Sequence, residues 1–185
     1  MKIVGKNFYL RSFSRKDINS KYLSWLKDKK VNEFLEVRFF PPNKKKAIKN
    51  LADYDNKINF FFGIFDKKNN RPIGTMTVRS NPIHKIAHYG YLIGDKKYWG
   101  TKASIEANYL LFNFIFNKLN LRKICGSTPI NNIGSNFNFK KLGFIQEGRQ
   151  RGQALINKKP TDYLMFGLFK KEWLKQKKKL KHKNI

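Results

Sequence analysis

With 185 residues, 41% of them apolar and 15% aromatic, the chain is long enough to close one core, short of two, and too rich in large side chains to be disordered throughout. Its longest strongly apolar run, Ile58 to Phe65, falls far below the roughly 18 residues of a membrane span, and the opening MKIVGKNFYLRSFSRKD does not read as a signal peptide, so a soluble cytoplasmic protein with no membrane partner is expected. Forty Lys and Arg against twelve Asp and Glu give a net charge of +28, which suits a polyanionic ligand.

Asn7 to Phe13 (NFYLRSF) alternates as a strand, and Ser14 with Asp17 three residues later reads as the capped start of a helix running to about Lys27. Val31 to Glu36 is a second short helical piece, broken by Pro41-Pro42; Asn43 to Asn56 then places Ala47, Ile48, Leu51 and Ala52 at helical spacing. Asn59 to Phe65 and Ile73 to Val78 are strands joined in a hairpin through the polar stretch Lys67 to Arg71. A third strand, Ile86 to Ile93, follows Asn81-Pro82. A glycine-containing loop leads into a long helix, Ala103 to about Asn117, apolar on most sides and therefore expected against a sheet. Lys123 to Ser127 reads as a strand, Ile133 to Leu142 as a helix, Phe144 to Gly148 as a strand start and Tyr163 to Phe169 as the final strand.

This order predicts a single α+β domain over residues 1–169, followed by a Lys-rich tail over 170–185. The tail holds eight Lys and one Glu, a charge of +7, which leaves +21 spread over the body. Trp173 and Leu174 are candidates to tuck against the body, and the rest is expected to be a solvated, frayed helix. Asn, Ile, Phe and Tyr are abundant as well, a mixture expected of AT-rich coding, so the lysine excess is partly compositional. No helix-turn-helix, zinc-finger or aromatic RNA-binding signature accompanies the charge, so nucleic acid is not expected as the main partner. A monomer or homodimer is expected. One cysteine, Cys125, cannot form an internal disulfide and is expected to be a buried strand residue; with three scattered histidines it builds no metal site.

The chemistry-bearing region runs from Tyr91-Leu92-Ile93-Gly94 through Tyr98-Trp99-Gly100-Thr101-Lys102-Ala103-Ser104 to Asn131-Asn132-Ile133-Gly134-Ser135 and Lys141-Leu142-Gly143-Phe144. A strand, a small-residue loop and a helix start gather unpaired backbone N–H groups and the positive helix end on one spot, which suits a pyrophosphate. Taken alone, a strand followed by a Gly-containing loop and a helix is commonplace.

Over nearly its whole length the chain resembles the GNAT acetyltransferases, particularly the branch of ribosomal-protein N-terminal acetyltransferases and amino-sugar acetyltransferases. The segments that carry the resemblance are YLRSF, SWLKDKKVNEFLEVRF, IGTMTV, GYLIGDKKYWG, NNIGSNFNFKKLGF and TDYLMFGLFKKEW. It implies a mixed, mostly antiparallel sheet flanked by helices, with a splayed strand pair at the site. It also implies transfer of acetyl from acetyl-CoA to a primary amine by direct attack. The acceptor is then an amino sugar or nucleotide-linked amino sugar, or alternatively a protein N-terminus. A GNAT-fold module that binds without catalysis and a basic RNA- or ribosome-associated protein are the rival readings.

Carried over, the resemblance puts the coenzyme's phosphates on backbone groups of Trp99, Gly100, Thr101, Lys102, Ala103 and Ser104, its pantetheine arm along Tyr91, Leu92 and Ile93, and a hydrogen bond on Asn132. Lys102 and Ser104 stand where the family usually has Gly or Ala. Phe139 stands where many members have a proton-donating Tyr, which leaves Ser135 as the candidate acid, or as a hydroxyl that caps its own helix. His88 occupies the position of a frequent Glu and is the candidate base, or else a structural strand residue; Tyr89, Asp162 and Glu147 also stand as candidate bases. Glu36, Arg38 and Phe39 are the expected acceptor contacts, Arg38 either as a fork for a nucleotide phosphate or as a surface arginine.

Overall fold

The computed structural model describes residues 1–182. Eight strands form one sheet in the order β1-β2-β3-β4-β5-β6-β8-β7: β1 Lys2–Val4, β2 Phe8–Ser12, β3 Asn59–Asp66, β4 Pro72–Asn81, β5 Ile86–Ile93, β6 Lys123–Pro129, β7 Ile145–Ile156 and β8 Lys159–Phe169. Every neighbouring pair is antiparallel except β5 and β6. The α+β expectation holds, with a mixed, mostly antiparallel sheet.

Strand β3 lies inside the sheet, between β2 and β4, and is covered on both sides because NFFFGIFD offers apolar groups to both faces. On one face Phe60, Phe62 and Ile64 pack with Leu111, Phe112 and Ile115 of α4 (Ala103–Asn113) and its continuation; on the other, Phe61 packs with Phe13, Tyr22, Trp25 and Val31 beneath α1 (Ser20–Lys27), α2 (Lys29–Asn32) and α3 (Lys44–Ala52). Helix α4 is apolar nearly all round, as a helix enclosed on all sides must be. It runs on as a π-helical segment over Phe114–Lys118, widening the ladder before the chain turns into β6.

The structure corrects several expectations. The helix foreseen from Ser14 is broken: Asp17 accepts hydrogen bonds from the Ser14 N–H and hydroxyl, both at 2.8 Å, but this closes only a 3₁₀ turn, and α1 begins afresh under an Asn19 cap. Val31 to Glu36 divides between α2 and a 3₁₀ turn over Glu36–Phe39. β1 was not legible, and β7 and β8 form a hairpin of 12- and 11-residue strands closed at Asn157 and Lys158, both with positive φ. The tail is not frayed over Lys170–His182. It forms α6, with Trp173 1% and Leu180 2% exposed in the main core and the Gln176 amide donating to the Lys141 carbonyl at 2.8 Å. Leu174 remains exposed. The last three residues of the expected tail lie outside the described residues. Cys125 is half-buried, and burial pushes its thiol pKa up.

Candidate active site

The sheet opens at one place. β5 pairs with β6 only over Ile86, Ala87 and His88, matched to Lys123, Ile124 and Cys125. Beyond that point Tyr89 to Ile93 keep β4 on one side and have no strand on the other, while Gly126 to Pro129 continue against β8. This is the splayed pair that the resemblance implies. The wedge is filled by the ring of Phe139 from α5 (Ile133–Lys141), which stacks on Phe166 at 4.4 Å and meets Phe144 at 4.9 Å edge-on. Gly126 lets that ring in: a Cβ there would stand 2.7 Å from two Phe139 ring carbons.

The start of α4 faces the same opening. Asp95 accepts from the Lys97 N–H at 3.2 Å to hold the turn after β5, and the Tyr98 hydroxyl ties that turn to Asp66 at 2.6 Å. The Trp99 indole donates to the Ile93 carbonyl at 2.7 Å and closes the end of the open edge. Gly100 has φ +72° with nothing within 4 Å of where a Cβ would stand. The Thr101 hydroxyl donates to the Tyr98 carbonyl at 2.7 Å and accepts from the Ala103 N–H at 3.2 Å. Lys102, in the N-cap position, has helical backbone angles and makes no side-chain capping bond. Helix geometry therefore leaves first-turn amides, those of Ser104 and Ile105, without intrahelical acceptors at the positive end of the dipole.

A residue that sequence reasoning passed over anchors this helix. The buried Glu106 carboxylate accepts from the Asn7 N–H at 2.7 Å, the Asn7 side-chain amide at 2.9 Å and the Phe8 N–H at 3.1 Å, binding α4 to the turn before β2. Nothing in a lone Glu on an apolar helix marks such a role, because its partners lie 98 and 99 residues away.

Helix α5 completes the wall. Asn132 caps it, accepting from the Ser135 N–H at 3.1 Å, so Ser135 is not the cap. The Asn138 amide donates to the Tyr91 hydroxyl at 2.7 Å and to the Ser104 hydroxyl at 3.2 Å, so the serine that departs from the family's small-residue pattern joins α4 to α5. Burial pushes the Tyr91 pKa up, against the hydrogen bond from Asn138 that pulls it down.

Tyr91, Leu92, Asn132, Ser135 and Phe139 line a cavity of about 650 Å3 that passes through the split to the other face of the sheet. There its wall is apolar, built by Phe34, Leu35, Val37, Phe40 and Pro41 with Tyr22 of α1. Burial pushes the Tyr22 pKa up to about 12, so it stays an uncharged phenol. A second cavity of about 560 Å3 shares Ser127 and Tyr163 with the first and is lined by Glu36, Arg38, Phe39, Gln150, Gln153 and Leu155. The three expected acceptor contacts thus come together. Arg38, however, is not a free fork: it donates to the Leu35 carbonyl at 2.7 Å and the Leu155 carbonyl at 3.1 Å and lies over the Phe39 ring, stitching the Glu36–Phe39 turn to β7. Tyr163, Asn138 and the wall residues Phe34, Leu35, Val37 and Pro41 were missed, since Pro41-Pro42 announces only a break and the others act through tertiary neighbours.

His88 is the catalytic candidate that the fold leaves outside. It is exposed on β5, in register with Arg79 and Cys125, and lines neither cavity. Of the other candidate bases, Tyr89 lines the first cavity but burial pushes its pKa far up, which keeps it protonated. Asp162 is held low by the Gly152 N–H and Arg149, and Glu147 pairs with Lys123 at 2.7 Å. Among the described residues, no three His, Cys, Asp or Glu side chains gather as metal ligands, and no helix is long and apolar enough to cross a membrane.

The sequence profile described as "Acetyltransferase (GNAT) domain" matches residues 7–145. A Bacillus subtilis (strain 168) protein named "Probable N-acetyltransferase YjcK" is 30% identical over 115 residues, covering 59% of this chain and 63% of that relative, less than two thirds of its length. Two solved structures share the fold. Spermidine N-acetyltransferase from Vibrio cholerae in complex with CoA and spermine superposes with a TM-score of 0.80 at 18% identity, covering 92% of this chain and 99% of that one. Ribosomal-protein-S5-alanine acetyltransferase from Vibrio fischeri gives 0.76 at 19% identity, covering 94% and 98%.

Proposed function

Because the chain belongs to the GNAT acetyltransferase family, we propose that it transfers an acetyl group from acetyl-CoA to a primary amine by direct attack, without a covalent enzyme intermediate. The observation that carries this reading is the open edge of β5, Tyr89 to Ile93, converging with the first turn of α4 on one cavity. When bound, acetyl-CoA supplies an acyl carbon already activated as a thioester. The residues present fit it. Backbone groups of Trp99 to Ser104 hold the phosphates at the helix start, and Lys102 and the body's excess charge add attraction. The free edge at Tyr91 and Leu92 pairs with the amide-bearing arm as an added strand would, Ile93 contributing less because its carbonyl already serves Trp99. Asn132 spends its oxygen on the α5 cap and keeps its amide N–H groups for the ligand.

The acceptor enters from the second cavity past Glu36, Phe39 and Tyr163, and Ser135, on the wall of the first cavity, is the proton donor to the departing sulfur. The first cavity's wall holds no carboxylate or imidazole, so the amine reaches the carbonyl carbon in its neutral fraction and loses its proton to water; His88 could take part only through such water. The apolar wall from Phe34 to Pro41 favours an amine carried next to an apolar group, and a peptide N-terminus is the leading acceptor. A simple amino sugar is the second reading, favoured by Gln150, Gln153 and Glu36 in the polar cavity. A nucleotide-linked sugar loses support because the Arg38 fork is spent on carbonyls.

The test is calorimetric titration with acetyl-CoA followed by a coenzyme-release screen over peptides, amino sugars, nucleotide amino sugars and polyamines. Binding with turnover on peptides is expected. Binding with no turnover on any amine would make the protein a non-catalytic module, and absence of binding would overturn the site itself.

A further inference from the structure

The two cavities show an acceptor different charges. Among the described residues, Lys46 is the one charged side chain lining the first, and Glu36 and Arg38 are the two lining the second. Arg38 is held by carbonyls and reaches Glu36 only at 3.5 Å, which leaves the Glu36 carboxylate 73% exposed at the entrance. The Lys46 ammonium, among the described residues, makes no hydrogen bond or ion pair.

Helix α3 places this cation. Asn43, Lys46, Ala47 and Asn50 follow one another at i, i+3, i+4 and i+7, which is one helical face, and all four line the first cavity. Ile48 and Leu51 hold the helix on the side of the sheet where Phe61 packs, whereas α4 packs on the side of Phe60 and Phe62. Lys46 therefore stands across the sheet from the helix whose start is given to the coenzyme's phosphates, and its charge is left to the acceptor. The helix itself gains nothing from it. Lys44, Lys45 and Lys46 crowd the first turn, where the dipole disfavours cations and no acidic residue offsets them.

Resting on the acetyl-transfer reading above, we propose that Lys46 selects an acidic acceptor, a peptide that carries a carboxylate on one of the two side chains next to its reacting N-terminal amine. Glu36 draws the ammonium in at the second cavity, and the amine passes on to the wall that holds Ser135. A cavity of about 650 Å3 is roughly 9 Å across, the reach of two to three extended residues at about 3.3–3.6 Å each. The first side chains lie there: Phe40, Pro41 and Pro42 take the apolar stem and lead along the chain to Asn43 and Lys46, which take the carboxylate. Asn43 spends its side-chain oxygen on the Lys46 backbone N–H at 2.9 Å and keeps its amide hydrogens for the ligand. Residues trailing out past Gln153 and Leu155 meet Arg151, Lys158 and Lys159, all exposed on the same hairpin. A polyamine meets the reverse, a like charge at Lys46 and, among the described residues, no carboxylate on the first wall.

The test is calorimetric titration of the protein saturated with coenzyme A, using hexapeptides that carry Glu, Gln or Arg at both of the first two residues and are otherwise identical, with spermidine as a fourth ligand; kcat/KM for acetyl transfer to each follows. The Glu peptide is expected to bind at least about fivefold more tightly than the Gln peptide, and the Arg peptide and spermidine more weakly than either. Lys46→Gln should bring the Glu and Gln peptides within about twofold of each other, and Lys46→Glu should reverse their order. Both variants relieve a cation at the start of α3, so the fold is expected to survive them. Lys171→Glu makes the same change of charge as Lys46→Glu at an exposed position on α6, which lines neither cavity, and should keep the preference. Coenzyme A affinity should stay within about twofold in Lys46→Gln, because the cation lies across the sheet from α4. Equal affinity for the Glu and Gln peptides, no binding of any peptide, or a preference lost as fully in Lys171→Glu as in Lys46→Glu would overturn the proposal, while acetyl transfer would still stand on coenzyme binding and turnover of another amine. Coenzyme A affinity lost in Lys46→Gln would overturn it as well, by giving the cation to the coenzyme. Failure of the unaltered protein to bind acetyl-CoA would overturn the acetyl-transfer reading, and the role of Lys46 with it.

Discussion

Gly126→Ala tests the link between the core and the split from which the site is built. A Cβ at residue 126 would stand 2.7 Å from Cε1 and Cζ of Phe139 and 3.1 Å from Cε1 of Tyr89. Carbon atoms rest at about 3.5–4.0 Å, so the Phe139 ring would have to retreat by roughly 1 Å. It has little room to do so, with Phe166 stacked at 4.4 Å and Phe144 edge-on at 4.9 Å. Overpacking of this kind costs about 1–3 kcal/mol. For a domain of this size about 2 kcal/mol corresponds to a Tm lower by roughly 4–8 °C. The assay is equilibrium denaturant unfolding with a parallel thermal melt, on Gly126→Ala, Phe139→Leu and the double variant. Phe139→Leu alone opens a cavity, and a shorter side chain makes room for the added methyl, so the double variant should be at least about 1 kcal/mol more stable than the sum of the singles predicts. Strict additivity, or a Gly126→Ala melt within about 1 °C of the parent, would refute the wedge account.

Other outcomes follow from the same structure. Gly100→Asp should weaken acetyl-CoA binding at least about tenfold by calorimetry, with Gly100→Asn as the neutral control: both residues tolerate the left-handed backbone, there is open space for either, and only the aspartate repels a diphosphate. His88→Ala should leave the acidic limb of the kcat/KM pH profile in place, because that limb is expected to follow the acceptor amine; its disappearance would bring His88 back as the base. The Asp17 carboxylate is opposed by burial, yet hydrogen bonds from Arg11 at 2.6 and 2.8 Å and from Ser14 hold its pKa below the ordinary value. The stability it contributes is complete above about pH 4 and is lost as pH falls through the lower folded-state value, so Asp17→Asn should flatten the acid-side slope of stability against pH.

Much of this protein can be read along its own chain. Strands β3 and β5, the hairpin turn after β3, the helix α5 and the glycine loop before α4 all rest on local chemistry: runs of β-favouring residues, turn residues, helical spacing, a glycine with positive φ. Local pattern marked the loop from Trp99 to Ser104 and the start of α5 as two separate helix starts, and only the family resemblance assigned Asn132 and Ser135 to the same site as that loop. Where a local signal had a competitor it misled, as when the Ser14–Asp17 capping pair closed a 3₁₀ turn and α1 began only at Asn19's cap.

What tertiary structure alone decided is which groups are already engaged and which remain free for a ligand. Arg38 reads as a phosphate fork until the Leu155 carbonyl, 117 residues away, takes one of its nitrogens. The Lys-rich tail reads as a solvated end, since a helix with two apolar anchors, Trp173 and Leu180, among lysines gains nothing until a core exists to bury them. Of the β7–β8 hairpin only the start of β7 and the end of β8 were legible, because an exposed edge strand carries little apolar alternation and its length is set by pairing. Composition and local pattern select the fold because burial is a property of each residue's own side chain. A site depends on who hydrogen-bonds to whom, and those partners are set by distances in space.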